Sequence, residues 1–366
     1  MTQHVIFVNP SHGNEPYILG TQIAKALGER LKKKGHEITI ILPYIYTKGE
    51  RQLRILEKEV GLDANCILDK KLGSFYHELL FQGNDFKKYL EAICTKRADV
   101  ERRVREHLTE TYKPITIELN IGSRFTSGAP TYYAFPALLS ELLHYALKES
   151  VLKELFTEEL LHKTLTLVKE VDSRYKKIFI PSYHLFSWDK TRKLHPTEIP
   201  TPPLKPLVTP SKKNIPKGSV FCMISGTDSE VENILERARL LQKQGTHVLV
   251  APLTLTEEFE KMSPLDAIPN PNLTKVITRA GWGTLWICQQ AGVEVEVIPY
   301  TPNDDPEIFY NLKTLENIPL LEGTATQREL FGEENMDGIA FVANKIVEDL
   351  QLLIPLSSPS FDLKPT

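Results

Sequence analysis

Two glycines and a hydroxyl side chain stand where a strand runs into a helix, which is an arrangement that binds phosphate. An apolar run at 275–278 is followed by Arg279 and Ala280 and then by the turn Gly281-Trp282-Gly283-Thr284. Free N–H groups and the positive dipole end in a helix's first turn favour an anion, and glycine lets the backbone approach it closely. Arg279 adds a forked cation beside the turn. We therefore predict a phosphate site here, with a purely structural tight turn as the alternative. Trp282 either lines the ligand pocket or packs under the turn.

Two further polar segments follow strands in the same half of the chain. They are Ser225-Gly226-Thr227, after a strand at 220–224, and Asp304-Asp305, after a strand at 293–300. Open α/β sheets bind ligands at the carboxyl edge, where such loops emerge. The first segment offers N–H and hydroxyl groups to a second phosphate, or it is a plain turn. Asp305 precedes Pro306 and also suits a helix N-cap, whereas Asp304 has no such local explanation.

The first loop of the chain carries the candidates for a general base. His12 follows the strand at 4–8, and a histidine pKa near 6.5 suits proton removal at neutral pH. Glu15, on the same loop, is the alternative base, and an exposed histidine without a role is the third reading. A second loop, at 122–130, carries Ser123, Arg124, Thr126 and Ser127. These residues either contact a hydroxyl-rich ligand or only connect a strand to a helix.

The elements that position these residues read as two α/β halves with the same opening. In the first half, strand 4–8 is followed by a loop and by a helix that Thr21 caps, and then by strand 37–42. In the second half, strand 220–224 is followed by a helix at 229–244 and by strand 248–250. Within the first half, residues 47–111 are mostly helical in pattern, with mixed charges typical of a solvated face. A basic face that contacts anionic lipid or a lipid-diphosphate acceptor is the alternative.

A proline-rich stretch separates the two halves. Residues 196–216 hold prolines 196, 200, 202, 203, 206, 210 and 216, so we predict an extended linker there rather than a packed element. The resulting domains are 1–195 and 217–353, with a tail at 354–366. The last helix, 339–353, is amphipathic.

These motifs resemble the donor-binding signature of GT-B glycosyltransferases, the two-domain architecture of the UDP-glycosyltransferase and MurG-like families. The family pattern is roughly His-Gly-Gly-x-Gly-Thr-x-x-Glu, then Gly-x-Pro, then Asp-Gln. This chain keeps the second half of the glycine box, then Gly292, Pro299 and the acidic pair. It departs at Arg279 for the diphosphate-binding histidine, at Ala280 for a glycine, and at Ile287 for the ribose-binding glutamate. The Gly35-His36-Glu37 turn resembles the start of the family's acceptor domain.

The resemblance implies two Rossmann-like domains that face each other across a cleft, with the last helix packing back across it. It also implies inverting, metal-independent transfer of a sugar from a nucleotide-diphosphate sugar, with UDP expected, to an acceptor hydroxyl. By resemblance, the loop histidine, His12, deprotonates the acceptor, and Asp304 and Asp305 bind the hydroxyls of the donor sugar. A sugar-nucleotide 2-epimerase and a non-catalytic nucleotide-sugar binding protein remain open as alternatives. No separate cofactor and no metal are expected. The acceptor is a small molecule, a glycan or a lipid-linked compound.

Composition sets limits on the remaining function classes. The formal net charge of −3 gives no reason to expect a nucleic-acid partner. Four widely spaced cysteines form no CxxC pair, which argues against a disulfide framework or a structural zinc site and favours a reducing cytoplasm. No signal peptide or membrane-spanning run is expected from the sequence, so any membrane contact would be peripheral.

Overall fold

A computed structural model describes most of the chain. The described residues are 3–10, 14–45, 61–62, 65–79, 85–112, 114–122, 124–181, 193–224, 228–252, 256–298, 306–317, 319–333 and 336–351. Over these residues the protein forms two parallel β-sheets flanked by helices. None of the described helices is long and apolar enough to cross a membrane. All four cysteines are free thiols.

The first sheet has seven parallel strands in the order β3-β2-β1-β4-β5-β6-β7. Its strands are β1 Gln3–Asn9, β2 Glu37–Pro43, β3 Cys66–Asp69, β4 Ile117–Asn120, β5 Thr131–Ala134, β6 Tyr175–Pro181 and β7 Glu198–Thr201. Its helices are α1 Asn14–Lys33, α2 Lys70–Tyr76, α3 Phe86–Thr111, α4 Leu139–Ala146, α5 Ser150–Phe156 and α6 Glu158–Asp172. The strand order reverses between β1 and β4, so the carboxyl ends of these two strands meet at the topological switch point.

The second sheet has five parallel strands in the order β10-β9-β8-β11-β12. Its strands are β8 Ser219–Cys222, β9 Val248–Val250, β10 Glu260–Lys261, β11 Leu273–Thr278 and β12 Glu294–Val297. The helices of this half are α7 Asp228–Lys243, α8 Pro264–Ala267, α9 Trp282–Ala291, α10 Pro306–Asn317, α11 Leu320–Phe331 and α12 Gly338–Gln351. The predicted α/β class with two Rossmann-like sheets is confirmed.

Helix α1 begins earlier than the sequence predicted. It starts at Asn14, with Glu15 in its first turn, and Thr21 lies inside it and donates its hydroxyl to Tyr17 O at 2.8 Å. The predicted N-cap at Thr21 is therefore wrong. Proline fits the first turn of a helix, where the N–H it lacks would have no partner, so Pro16 does not delay the start.

The proline-rich stretch is partly packed. Residues Glu198–Thr201 form β7, which pairs with β6 at the edge of the first sheet, and residues 202–205 are buried. The prediction that 196–216 holds no packed element is therefore wrong for this part. An edge strand tolerates Pro200, because only one of its two sides must supply backbone hydrogen bonds.

The last helix returns to the first half of the molecule, as the resemblance implied. Helix α12 packs on α1, where Arg30 Nε donates to Asn344 Oδ1 at 2.5 Å. Its Asp349 accepts hydrogen bonds from the Tyr132 hydroxyl at 2.6 Å and from Lys176 at 3.2 Å. One cluster of buried apolar residues contains members of both halves, including Leu285 and Trp286 of α9 together with residues of β1 and α1.

A buried carboxylate joins β3, α2 and α3. Asp69 accepts from Leu72 N at 2.7 Å and from the Tyr112 hydroxyl at 2.6 Å, and its Oδ2 lies 2.7 Å from His107 Nε2. Burial by itself would raise the pKa of the Asp69 carboxyl, but the hydrogen bonds from Leu72, Tyr112 and His107 bring this pKa below its ordinary value. The ionised form therefore stabilises the fold.

Replacing Asp69 with Asn should lower the free energy of unfolding by about 2 kcal/mol at pH 7. The side-chain amide has only one oxygen that accepts hydrogen bonds, whereas the carboxylate has two. The folded-state pKa of Asp69 lies below the unfolded one. Its contribution is therefore complete above about pH 4 and is lost as the pH falls through the folded-state pKa. Urea unfolding at pH 7, 5 and 3 measures the difference in the free energy of unfolding between Asp69→Asn and the unaltered protein. This difference should be smaller at pH 3.

The control is Glu159→Gln, at an exposed carboxyl in the first turn of α6, which should stay within about 0.5 kcal/mol of the unaltered protein throughout. A difference between Asp69→Asn and the unaltered protein that does not change with pH would contradict the assignment.

Candidate functional site

The predicted phosphate turn lies at the carboxyl edge of the second sheet. Strand β11 ends at Thr278 and α9 begins at Trp282, beside the carboxyl end of β8. Strand β8 has β9 on one side and β11 on the other, so the carboxyl ends of β8 and β11 meet at the sheet's switch point. A crevice for a ligand forms at such a point.

The turn itself leaves the first turn of α9 without a side-chain cap. Gly281 is the N-cap residue, with an extended backbone, and it has no side chain to bond to the helix. Its N–H donates to Arg279 O at 2.7 Å, and its carbonyl accepts from Thr284 N and Leu285 N, both at 3.2 Å. Gly292 ends the helix with a left-handed backbone, φ 68°. The predicted strand, glycine turn and short helix are all present.

Arg279 lies beside the turn. A Cβ atom built on Gly281 would lie 3.7 Å from Arg279 Nε, which is an ordinary van der Waals distance. Gly281, Gly283 and Thr284 are all partly exposed. The structure thus brings together four of the predicted donor-binding residues, in a place that a ligand can reach.

Trp282 packs under the turn and does not line a pocket. Its side chain is buried, its ring stacks on Trp286 with the centroids 6.1 Å apart, and its Nε1 donates to Asn311 Oδ1 at 2.7 Å. Asn311 in turn donates to Ala280 O at 2.8 Å. Of the two readings of Trp282, the geometry supports packing, and the tryptophan holds the turn in place.

The departures from the family pattern also have structural causes. Ala280 is fully buried in the apolar cluster shared by the two halves. Ile287 points into a different core, which also contains Phe221 and Leu249. No side chain at position 287 can therefore reach a ribose in this arrangement without leaving the core.

The first half contributes a charged pair to the turn. The Glu15 carboxylate forms an ion pair with Lys205 Nζ, and the Glu15 side chain stands directly against Gly283. Glu15 is 43% exposed, whereas Lys205 is only 8% exposed. The predicted alternative base thus lies at the predicted phosphate turn.

The switch point of the first sheet is filled by a buried polar network. Asn9, at the end of β1, donates to Glu118 Oε1 at 2.8 Å and to Phe125 O at 2.9 Å. Asn120 donates to Phe125 O at 2.8 Å, and Ser127 donates to Glu118 Oε2 from both its N–H and its hydroxyl at 2.6 Å. Burial raises the pKa of the Glu118 carboxyl, and the bonds from Ser127 and Asn9 oppose the shift. This network fixes the loop after β4.

Arg124 and Thr126 belong to the support of that loop. Arg124 is buried, donates to Leu79 O at 3.2 Å and lies over the Tyr76 ring. Thr126 is also buried, and its carbonyl accepts from Arg105 Nε at 3.0 Å. The geometry supports the reading of this segment as a structural connection, because neither side chain is exposed to a ligand.

Seven predicted site residues lie outside the described part of the chain. They are His12, Ser123, Ser225, Gly226, Thr227, Asp304 and Asp305. Their roles stay predictions.

Sequence reasoning missed Lys205, Asn311 and Glu118. Lys205 lies in a proline-rich stretch that was expected to be an extended linker, so no local pattern singled it out. Glu118 sits inside a short strand, where a charged residue usually faces solvent, and only the loop that folds over it shows otherwise. Asn311 lies in α10, and its partners, Trp282 and Ala280, lie at the start of α9, the preceding helix, so no local pattern singled it out.

Comparison with solved structures identifies the fold. The calicheamicin glycosyltransferase CalG4 is 14% identical, with a TM-score of 0.57 over 97% of this chain and 100% of that one. LpCGTa in complex with UDP is 17% identical, with a TM-score of 0.57 over 95% of this chain and 94% of that one. UGT2 from Phytolacca americana, complexed with UDP-2fluoro-glucose and pterostilbene, is 13% identical, with a TM-score of 0.53 over 94% of each chain.

These similarities show that the chain has the two-domain GT-B fold of UDP-glycosyltransferases. No family model and no curated protein sequence matches it.

Replacing Asn311 with Ala should lower the free energy of unfolding by about 2–4 kcal/mol, because it leaves the buried Trp282 Nε1–H and Ala280 carbonyl without their present partner. Chemical denaturation followed by tryptophan fluorescence measures the loss. The matched control is Asn233→Ala, at an exposed asparagine of α7, which should cost less than about 1 kcal/mol. Equal losses in the two variants would mean that Asn311 does not hold the turn.

Proposed function

We propose that the protein transfers a sugar from a nucleotide-diphosphate sugar, with UDP expected as the nucleotide, to an acceptor hydroxyl. The observation that carries this proposal is the uncapped first turn of α9, which lies at a sheet's switch point with Arg279 beside it. Such a turn favours a phosphate through its N–H groups and its dipole. The GT-B fold and the neighbours' complexes with UDP and a UDP-sugar analogue support the choice of ligand.

In the proposed reaction the acceptor oxygen attacks the anomeric carbon as the bond from that carbon to the diphosphate breaks. The configuration inverts, and the bonding electrons pass to the nucleoside diphosphate. The turn at 281–284 and Arg279 stabilise the developing negative charge, a task that needs no metal in this proposal. Ser225, Gly226 and Thr227 would add phosphate contacts, and Asp304 and Asp305 would accept hydrogen bonds from the donor sugar.

The acceptor proton is assigned to His12, with Glu15 as the alternative base. An imidazole with an ordinary pKa is half deprotonated near neutral pH and can accept a proton from a hydroxyl group. The described position of Glu15, against Gly283, favours a role near the diphosphate over one at the acceptor. The acceptor itself, whether a small molecule, a glycan or a lipid-linked compound, would lie against the first half.

A non-catalytic nucleotide-sugar binding protein is the second candidate. The burial of Ile287 favours it, because the ribose contact that the resemblance places there is missing. Product analysis by mass spectrometry separates the candidates. Transfer to an acceptor supports the first, conversion to an epimer without an acceptor would indicate the 2-epimerase, and tight binding with neither would indicate the binder.

Titration calorimetry with UDP, GDP, dTDP and their common sugars tests the proposal. We expect one nucleotide sugar to bind selectively, and Arg279→Ala to weaken this binding at least tenfold, because a cation beside the diphosphate is removed. The control is Arg328→Ala, at an exposed arginine of α11, which should bind as the unaltered protein does. Absence of binding by every nucleotide would refute the proposed function.

A further inference from the structure

The anion position at the first turn of α9 is already faced by a carboxylate of the chain itself. A Cβ atom built on Gly283 would lie 2.6 Å from Glu15 Cδ and 2.7 Å from Glu15 Oε1. Gly283 is the second residue of α9, within the turn whose amide groups and dipole favour negative charge. The carboxylate comes from the first turn of α1, in the other half of the molecule. Only a glycine at 283 leaves room for it.

The cation that accompanies this carboxylate is buried. Lys205 is 8% exposed, and its ammonium group pairs with Glu15. A buried ammonium group is costly without an anionic partner, so some negative charge must remain next to Lys205. Lys205 lies beyond the end of β7, after residues 202–204, and its N–H donates to Pro203 O at 2.7 Å. Pro203 O also accepts from Gly338 N at 3.1 Å, so the backbone near Lys205 is tied to the start of α12.

The two charged side chains differ in their freedom to move. Glu15 is 43% exposed and can swing towards solvent at the cost of its ion pair. Lys205 is enclosed and stays at the turn. If a second anion replaces the carboxylate, the ammonium group keeps a partner and the helix N-terminus keeps a negative charge.

We propose that Glu15 is an internal placeholder for the donor's diphosphate, and that Lys205 exchanges this carboxylate for the diphosphate when the donor binds. This inference rests on the proposed function, because it takes the turn of α9 as the diphosphate site. Lys205 then becomes a donor-binding residue contributed by the segment between the two sheets. The carboxylate competes with the ligand, so apparent donor affinity is lowered by the fraction of molecules in which the pair is closed.

An ion pair with a purely structural role makes different predictions. In that case, removing either partner affects ligand binding in the same direction, through the stability of the interface. In the exchange, the two partners have opposite effects, because one competes with the ligand and the other binds it. Opposite effects of the two substitutions on ligand affinity would therefore distinguish the exchange from a purely structural ion pair.

Calorimetric titration with inorganic pyrophosphate and with UDP, on the full chain, measures these signs. We expect Glu15→Gln to bind both at least threefold more tightly, and Lys205→Met to bind both at least tenfold more weakly. In the Glu15→Gln background, Lys205→Met should still weaken binding, because Lys205 contacts the diphosphate directly. Lys205→Arg should recover part of the loss. The controls are Glu29→Gln and Lys212→Met, at exposed positions of α1 and of the proline-rich stretch, which should bind as the unaltered protein does.

The outcomes separate this inference from the proposed function. If UDP binds and Glu15→Gln does not tighten the binding, the inference fails and the proposed function stands. If Glu15→Gln tightens and Lys205→Met weakens the binding of pyrophosphate, and no nucleotide binds more tightly than pyrophosphate, the exchange stands and the nucleotide-sugar function fails. If neither ligand binds any variant, both fail. If Lys205→Met does not fold, the effect of Glu15→Gln on ligand affinity is sufficient to test the exchange. Calorimetry measures binding and not turnover, so a role of Glu15 as a base does not affect the result.

Discussion

The contact between Glu15, Lys205 and the first turn of α9 joins the two halves of this protein at the place where an anion is expected. A helix that begins with glycines exposes a partial positive charge, and a buried lysine adds a full one. Two positive groups in one crevice require negative charge nearby. The chain supplies it from α1, so the electrostatic balance at the turn depends on a residue of the opposite half. In the proposed function, binding of a diphosphate would therefore be coupled to the arrangement of the interface.

The turn keeps its shape because its underside is a packed core. Trp282, Ala280 and Trp286 lie in the apolar cluster that both halves share, and Asn311 pairs with the Trp282 indole N–H and the Ala280 carbonyl. The same packing accounts for the departures from the GT-B pattern. Ala280 and Ile287 are core residues here, so packing against apolar neighbours, rather than contact with a ligand, constrains these side chains. In the proposed function, backbone groups and cations therefore recognise the diphosphate.

The switch point of the first sheet contains a buried polar network. There the carboxyl ends of β1 and β4 are bound together by Asn9, Asn120 and the buried Glu118, over which the loop after β4 folds. Fully bonded buried polar groups are rigid, because each lost bond leaves an unsatisfied partner at low dielectric. The carboxyl edge of the first sheet at β1 and β4 is thus rigid. In the proposed function, acceptor recognition depends on other side chains at this edge rather than on the buried Arg124 and Thr126.

The sequence by itself determined the local elements of this fold. Apolar periodicity predicted the paired strand-loop-helix openings, the strand and glycine turn before α9, and the amphipathic last helix, because each of these signals lies within a few neighbouring residues. The predicted start of α1 at Thr21 was wrong, since a proline that suits a helix's first turn was read as part of a loop. Only the tertiary structure decided which way Trp282 faces, that Arg124 is enclosed, and that Lys205 pairs with Glu15 beside the turn at 281–284. These outcomes depend on contacts between segments far apart in the chain, and a single sequence carries no local pattern that specifies such a pair.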